Sequence, residues 1–258
     1  MKRSSKPHRI ATRAVLMAAL AVCVVVSVGC AVFFYFACIL PAVDKAATFD
    51  LSRLADPGVP PDAIQRSIPV SEVPPHVLQA LISREDPRFY QHDGNDYVGM
   101  GREFWGHLRG REVRGSRTIT QQLAQNAFDL ESHSNRHLLF LALARRIEQH
   151  FAKAEILEFY LNRVYFGLVA KKSVFGIEAA AQVYFVHKAS DLNLVEGATL
   201  VGLIRSPERY SPFRDPKAAL AARNVVLHRM AEDGWITKEG LEAALREPLR
   251  IVDRQHVE

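Results

Sequence analysis

The chain has 258 residues, enough for one sizeable domain with appendages and too few for two full-sized enzymes. With 48% hydrophobic and 24% charged residues it is neither disordered nor collagen-like. Its net charge of +5 resides in a tail, because Lys2, Arg3, Lys6, Arg9 and Arg13 account for all of it; the neutral body offers no phosphate-backbone footprint, and no nucleic-acid partner is expected.

Residues 1–13 read as a basic cytoplasmic tail. From Ala14 to Val43 there is no Asp, Glu, Lys or Arg, and the apolar run 14–40 exceeds the roughly twenty residues that cross a bilayer core. It is also longer than the apolar core of a cleaved leader, about 7–15 residues. Val28-Gly29-Cys30 resembles the end of a lipobox, but the apolar run continues past it. One retained transmembrane helix is therefore expected, its N-terminus cytoplasmic by the positive-inside rule and the remainder outside. All three cysteines, Cys23, Cys30 and Cys38, fall inside this run, so the external part carries no thiol, which suits an oxidising compartment.

Residues 41–72 hold Pro41, Pro57, Pro60, Pro61 and Pro69 and are expected to form a proline-rich stalk. Beyond Pro75, a favourable first-turn residue, Val77, Leu78, Leu81 and Ile82 recur at helical spacing. Residues 118–128, 136–151, 153–166, 176–185, 191–204, 216–232 and 238–246 also read as helices. No segment shows sustained period-two alternation. A mainly α domain is expected over 73–249, with 250–258 as a tail.

If the first external helix reaches Glu85, a step of about 100° per residue sets the carboxylate over the stripe of Leu78, Leu81 and Ile82. Partial desolvation there suits a proton acceptor. Spacing alone equally allows a helix-end carboxylate held by Arg84 or Arg88.

The residues around Glu85 point further. Residues 85–94, EDPRFYQHDG, resemble the first motif, ED-x-x-F-x-x-H-x-G, of glycosyltransferase family 51, the peptidoglycan glycosyltransferases. Residues 118–128, TITQQLAQNAF, resemble the second motif, S-T-I-T-Q-Q-L-x-K-N-x-F. EILEFYLNRVYFG at 155–167 is similar to the family's E-I-L-E-x-Y-L-N-x-V-Y-F-G. Further matches lie at 176–185, in LVEGATLVGLIRSPERYSP (194–212) and at 229–237, so the resemblance runs in order from about Val73 to Leu249.

This resemblance implies a lysozyme-like, mainly α fold with a membrane-facing jaw beside a long cleft. The implied reaction is polymerisation of lipid II into glycan strands at the bacterial cytoplasmic membrane, with inversion and loss of a polyprenyl diphosphate. The implied partners are lipid II, the nascent strand, the bilayer and other cell-wall synthesis proteins. By the same resemblance Glu85 is the general base. Asp86, Phe89, His92, Gly94, Arg102, Thr118, Gln121, Gln122, Asn126 and Arg136 are candidate contacts to sugar or diphosphate. Family members often use a divalent cation such as Mg at the diphosphate; the cofactor of this chain is left open.

Four positions depart from the family pattern. Phe140 stands where the third motif, R-K-x-x-E, has glutamate and His137 where it has lysine; Gln125 replaces the second motif's lysine and Arg117 its serine. Losing one preorganised charge contact at a transition state costs about 3–4 kcal/mol, although Arg117 or His137 can compensate. Two functions are thus expected in competition: a glycan polymerase, and a silent relative that binds precursor or glycan and scaffolds wall synthesis. A hydrolase is a weaker third, since no second carboxylate stands at a hydrolase spacing. The chain contains no S-x-x-K and no K-T-G, so no transpeptidase is expected within it.

Overall fold

The computed structural model describes residues 6–56, 58–110, 117–128 and 136–252, without the side chains of 6–15, 18, 36, 38 and 40. Helix α1 (Lys6–Phe34) passes through one π-helical turn at Tyr35–Ile39 into α2 (Leu40–Ala47). Leu20, Val25, Phe33 and other apolar side chains of α1 are exposed, covered by nothing else among the described residues. No helix among those residues is long and apolar enough to cross a membrane. The expected span 14–40 includes side chains outside them, namely those of Ala14, Val15, Ala18, Phe36, Cys38 and Leu40.

The proline-rich segment is folded against the domain rather than extended from it. Ala42, Ala46, Leu51, Leu54 and Ile68 are buried. The amide of Asn162 donates to Ile68 O and its Oδ1 accepts from Ile68 N–H, at 3.0 and 2.9 Å. Glu158 Oε2 accepts from Val70 N–H at 2.9 Å. Arg146 donates to Ala46 O and Phe49 O at 2.9 and 2.6 Å, and Arg163 donates to Arg53 O and Asp56 O. These contacts satisfy main-chain carbonyls that a segment without regular structure would otherwise bury unpaired.

The domain is mainly helical, as expected. Helices α3 (Pro75–Glu85), α9 (Leu194–Leu203) and α10 (Pro216–Glu232) pack on one another, and α11 (Lys238–Arg246) covers α10. A second group joins α5 (Ile119–Ala127) to α6 (Arg136–His150) and α7 (Lys153–Arg163), with α2 laid on α6. Apolar faces from both groups and from α8 (Ile177–Tyr184) meet in one core that includes Leu81, Phe89, Leu123, Leu143, Tyr160 and Leu200. Polar N-caps set the starts: Thr118 with Gln121 forms a capping box on α5, Asn193 with Glu196 does so on α9, and Asp215 caps α10.

Two elements differ from the sequence reading. Helix α7 stops at Arg163, and a three-stranded sheet follows in the order β1 (Ile64–Gln65), β3 (Lys172–Phe175), β2 (Tyr165–Val169). β2 and β3 are antiparallel, and β1 joins β3 in parallel. The hairpin turns on Ala170 and Lys171 at φ 49° and 64°, a geometry that usually carries Asn-Gly, so the sequence gives no turn signal. Helix α4 (Tyr97–Leu108) is the other difference; Gly99, Gly101 and Gly106 weaken its intrinsic propensity, and Asp96 caps it by accepting from Gly99 N–H at 2.8 Å.

Candidate active site

Helix α3 ends on Glu85, and the next residue folds the first-motif loop beneath it. Asp86 is buried, with His92 Nε2 at 3.0 Å from Oδ1, while Oδ2 accepts from Ile119 N–H at 3.1 Å. A single carboxylate thereby ties the end of α3 to its own loop and to the start of α5. Phe89 is fully buried under the Lys153 ammonium, 4.3 Å from its ring centroid. Lys153 in turn donates to His92 O and to Glu148 at 2.8 Å.

Gly94 has φ 86°, and a Cβ there would lie 2.4 Å from Ala144 O, so the loop reaches α6 only with glycine at this point. The Thr118 hydroxyl donates to Gly94 O at 2.7 Å, and Gln121 donates to Asn95 Oδ1 at 2.8 Å. Asp86, Phe89, His92, Gly94 and Thr118 are thus joined in one scaffold under Glu85.

Glu85 itself is 4% exposed at the floor of a cavity of about 530 Å³, with Gln122, Asn126 and Arg205 in the walls. Gln122 Nε2 donates to Glu85 Oε2 at 3.1 Å, and the Tyr160 hydroxyl donates to Gln122 Oε1 at 3.1 Å. Burial first, and then the nearby Glu85 charge, push the Tyr160 phenol well above its ordinary range, so it stays a donor. Glu85 Oε1 accepts no hydrogen bond among the described residues; Arg205 Nε faces it at 3.6 Å. A buried acceptor with nothing to accept is rare in a folded chain.

A second cavity, of about 480 Å³, adjoins the first across Arg117 and Gln125, which line both. Gln121, Arg136, His137 and the half-buried Phe140 also line it. Phe140 therefore stands on the cleft wall while packing against the core, and the His137 ring meets it edge to face at 6.5 Å. Of the expected contact residues, Gln121, Gln122, Asn126 and Arg136 line these cavities with Glu85. Arg102 lies on α4, largely exposed, 3.8 Å from Asp96.

Arg205 and Tyr160 are functional candidates that motif reading passed over. Both sat inside matched stretches, IRSPERYSP and EILEFYLN, but nothing in the spacing says that they converge on Glu85. Of the sequence candidates for that partner, Arg88 pairs with Asp96 at 3.3 Å; Arg84 is buried, and its carbonyl accepts from Arg229 at 2.8 Å.

Among the described residues, the donor set of the cleft, with Glu85 as its one carboxylate, fits a divalent cation poorly. Among the described residues no group of three or more His, Cys, Asp or Glu is placed to hold one. The cavity around Arg117 is rimmed by guanidinium groups, whereas Mg is held by hard oxygen ligands.

Fold and site together define a helical domain in which a buried carboxylate faces a cleft lined by guanidinium groups. The family model described as transglycosylase matches residues 59–231. The chain belongs to the transglycosylase family. It is 42% identical over 71% of its length to penicillin-binding protein 1A of Aquifex aeolicus, and 37% identical over 72% to that of Escherichia coli. It spans about a quarter of those proteins, 25% and 22% respectively. A Cupriavidus necator protein named as a transglycosylase is 36% identical over 71% of this chain and 78% of its own length. The crystal structure of penicillin-binding protein 1A from Haemophilus influenzae aligns over 74% of this chain and 18% of its own, with 23% identity and a TM-score of 0.45.

Proposed function

We propose that this chain is a membrane-anchored peptidoglycan glycosyltransferase that polymerises lipid II. Glu85 Oε1 takes the proton of the acceptor sugar's 4-hydroxyl as that oxygen attacks the anomeric carbon of the lipid-linked donor. The new glycosidic bond forms with inversion. The old carbon–oxygen bond breaks, and the departing polyprenyl diphosphate leaves with its electron pair. Gln122 holds the second carboxylate oxygen, so the base is oriented before the substrate arrives.

The observation that carries this reading is the buried Glu85 carboxylate at the cleft floor, with Oε2 held by Gln122 and Oε1 facing Arg205 Nε at 3.6 Å without a hydrogen bond among the described residues. Membrane anchoring is supported by the uncharged run from Ala14 to Val43 and by the exposed apolar side chains of α1. Exposed Tyr97, Phe104, Trp105 and Leu108 on α4 support a second contact with lipid, beside the cleft. An external domain held at the bilayer surface meets a lipid-linked donor at high effective concentration.

The test is polymerisation of lipid II by the purified chain. Glu85→Gln preserves the shape of the side chain and removes the base, and should lower the rate by about two to four powers of ten. Equal polymer from both proteins overturns the role of Glu85. One observation favours a second reading: Phe140 brings an apolar ring to the cleft wall where the family pattern has a carboxylate. On that reading the chain binds lipid II or glycan and scaffolds other wall-synthesis proteins. The same assay would then show lipid II bound and no polymer from either protein.

A further inference from the structure

Charge is distributed unevenly across the cleft. Arg117, just before α5, lines both cavities, and Arg136 and His137 at the start of α6 line the second. No carboxylate lines that second cavity among the described residues. Among the described residues, three acids of the surrounding scaffold are already engaged: Asp86 by His92 and Ile119 N–H, Asp96 by Arg88 and Gly99 N–H, Glu148 by Lys153 and Thr120. Glu85 is held by Gln122 and faces Arg205. A divalent ion at the junction of the cavities would thus meet the Arg117 guanidinium and the neutral Gln125 amide, with no carboxylate there among the described residues. A diphosphate there would gain charge-assisted hydrogen bonds, because the planar guanidinium fork matches two phosphate oxygens.

Building on the transferase reading, we infer that this chain holds the diphosphate of its donor with Arg117 and Arg136 and uses no divalent cation. Arg117 is the cation shared by the two cavities, so it reaches the anion from the side on which Glu85 lies. Arg136 reaches it from α6. Phe140, half-buried between them and the core, occupies the wall with an apolar ring and brings no charge that a metal would be needed to offset.

The experiment uses the full chain in detergent micelles and a polyprenyl diphosphate as ligand, with binding read by calorimetry rather than by turnover. Affinity should agree within about twofold between EDTA and millimolar magnesium. Arg117→Ala and Arg136→Ala should each weaken binding about tenfold or more, the usual cost of a lost hydrogen bond to a charged group. Arg117→Lys, which keeps the charge and loses the fork, should fall between. Both arginines are exposed, so their variants are expected to fold, as thermal melting will verify. Phe140→Glu faces the same anion with a carboxylate and should weaken binding in EDTA by a similar factor. Binding lost in EDTA and restored by magnesium overturns the inference, as does wild-type affinity in Arg117→Ala or Phe140→Glu. A chain that binds in this way but makes no polymer overturns the proposed reaction and leaves this inference standing.

Discussion

Gln122 makes two contacts that fix its amide: its Nε2 donates to Glu85 Oε2, and its Oε1 accepts from Tyr160. On the proposed function, Tyr160 is a positioning residue for Glu85. Removing its hydroxyl frees the amide to rotate, and the loss of one such bond is worth about 1 kcal/mol. Tyr160→Phe should lower kcat about fivefold with KM changed less than about twofold, in steady-state kinetics on lipid II. A loss confined to KM would place Tyr160 in substrate binding instead.

Val186 raises a separate question of stability, being β-branched, exposed and held at φ 65°. That left-handed conformation costs an L-residue about 1–2 kcal/mol, and glycine adopts it freely. After allowing for glycine's greater freedom in the unfolded chain, Val186→Gly should stabilise the domain by about 1 kcal/mol, read as a higher Tm in thermal melting. Residues such as Glu85 and Gln122 were legible because they stand in dense motifs. Arg205 was not, since its relation to Glu85 arises only when α9 packs on α3.

Among the elements, α4 presents the most unusual surface. Tyr97, Phe104, Trp105 and Leu108 are exposed, and the Arg109 guanidinium lies 5.0 Å from the Trp105 ring centroid. Such a face has no cover within the described chain, and indole favours the boundary between lipid and water. The chain has two tryptophans, so Trp235→Phe leaves Trp105 as sole reporter. In proteoliposomes its fluorescence should be quenched by lipids brominated near the headgroup; emission indifferent to bromine would remove α4 from the bilayer surface.

Helices with strong apolar periodicity, such as α5 and α11, were readable in the sequence. α4 was not, because its three glycines lower helix propensity and its apolar stripe faces outward, away from the core. The sheet escaped for a different reason. Its longest strand has five residues, and its hairpin turns on Ala-Lys without glycine.

Over the whole molecule, the two helical groups meet beside Glu85, and the scaffold beneath it draws on both. The sequence placed the motifs in order along one helical domain, but not the way in which Asp86, Gly94 and Thr118 knit α3, α5 and α6 together. Those bonds involve main-chain atoms far away in sequence, and no periodicity records them. The proline-rich segment was misjudged for a related cause, as its apolar residues are too sparse to form a pattern and yet enough to reach the core.

Arg146 and Arg163 grip that segment by its carbonyl oxygens and not by its side chains. Exposed side chains of that stretch, such as Ser52 and Arg53, can therefore drift wherever the backbone path survives, whereas the buried Ala46, Leu51 and Leu54 and either guanidinium are hard to replace. Should α1 lie in lipid, the grip also sets how far above the bilayer Glu85 stands. The height of the chemistry would then be written in two cations of the globular part, rather than in the length of a tether.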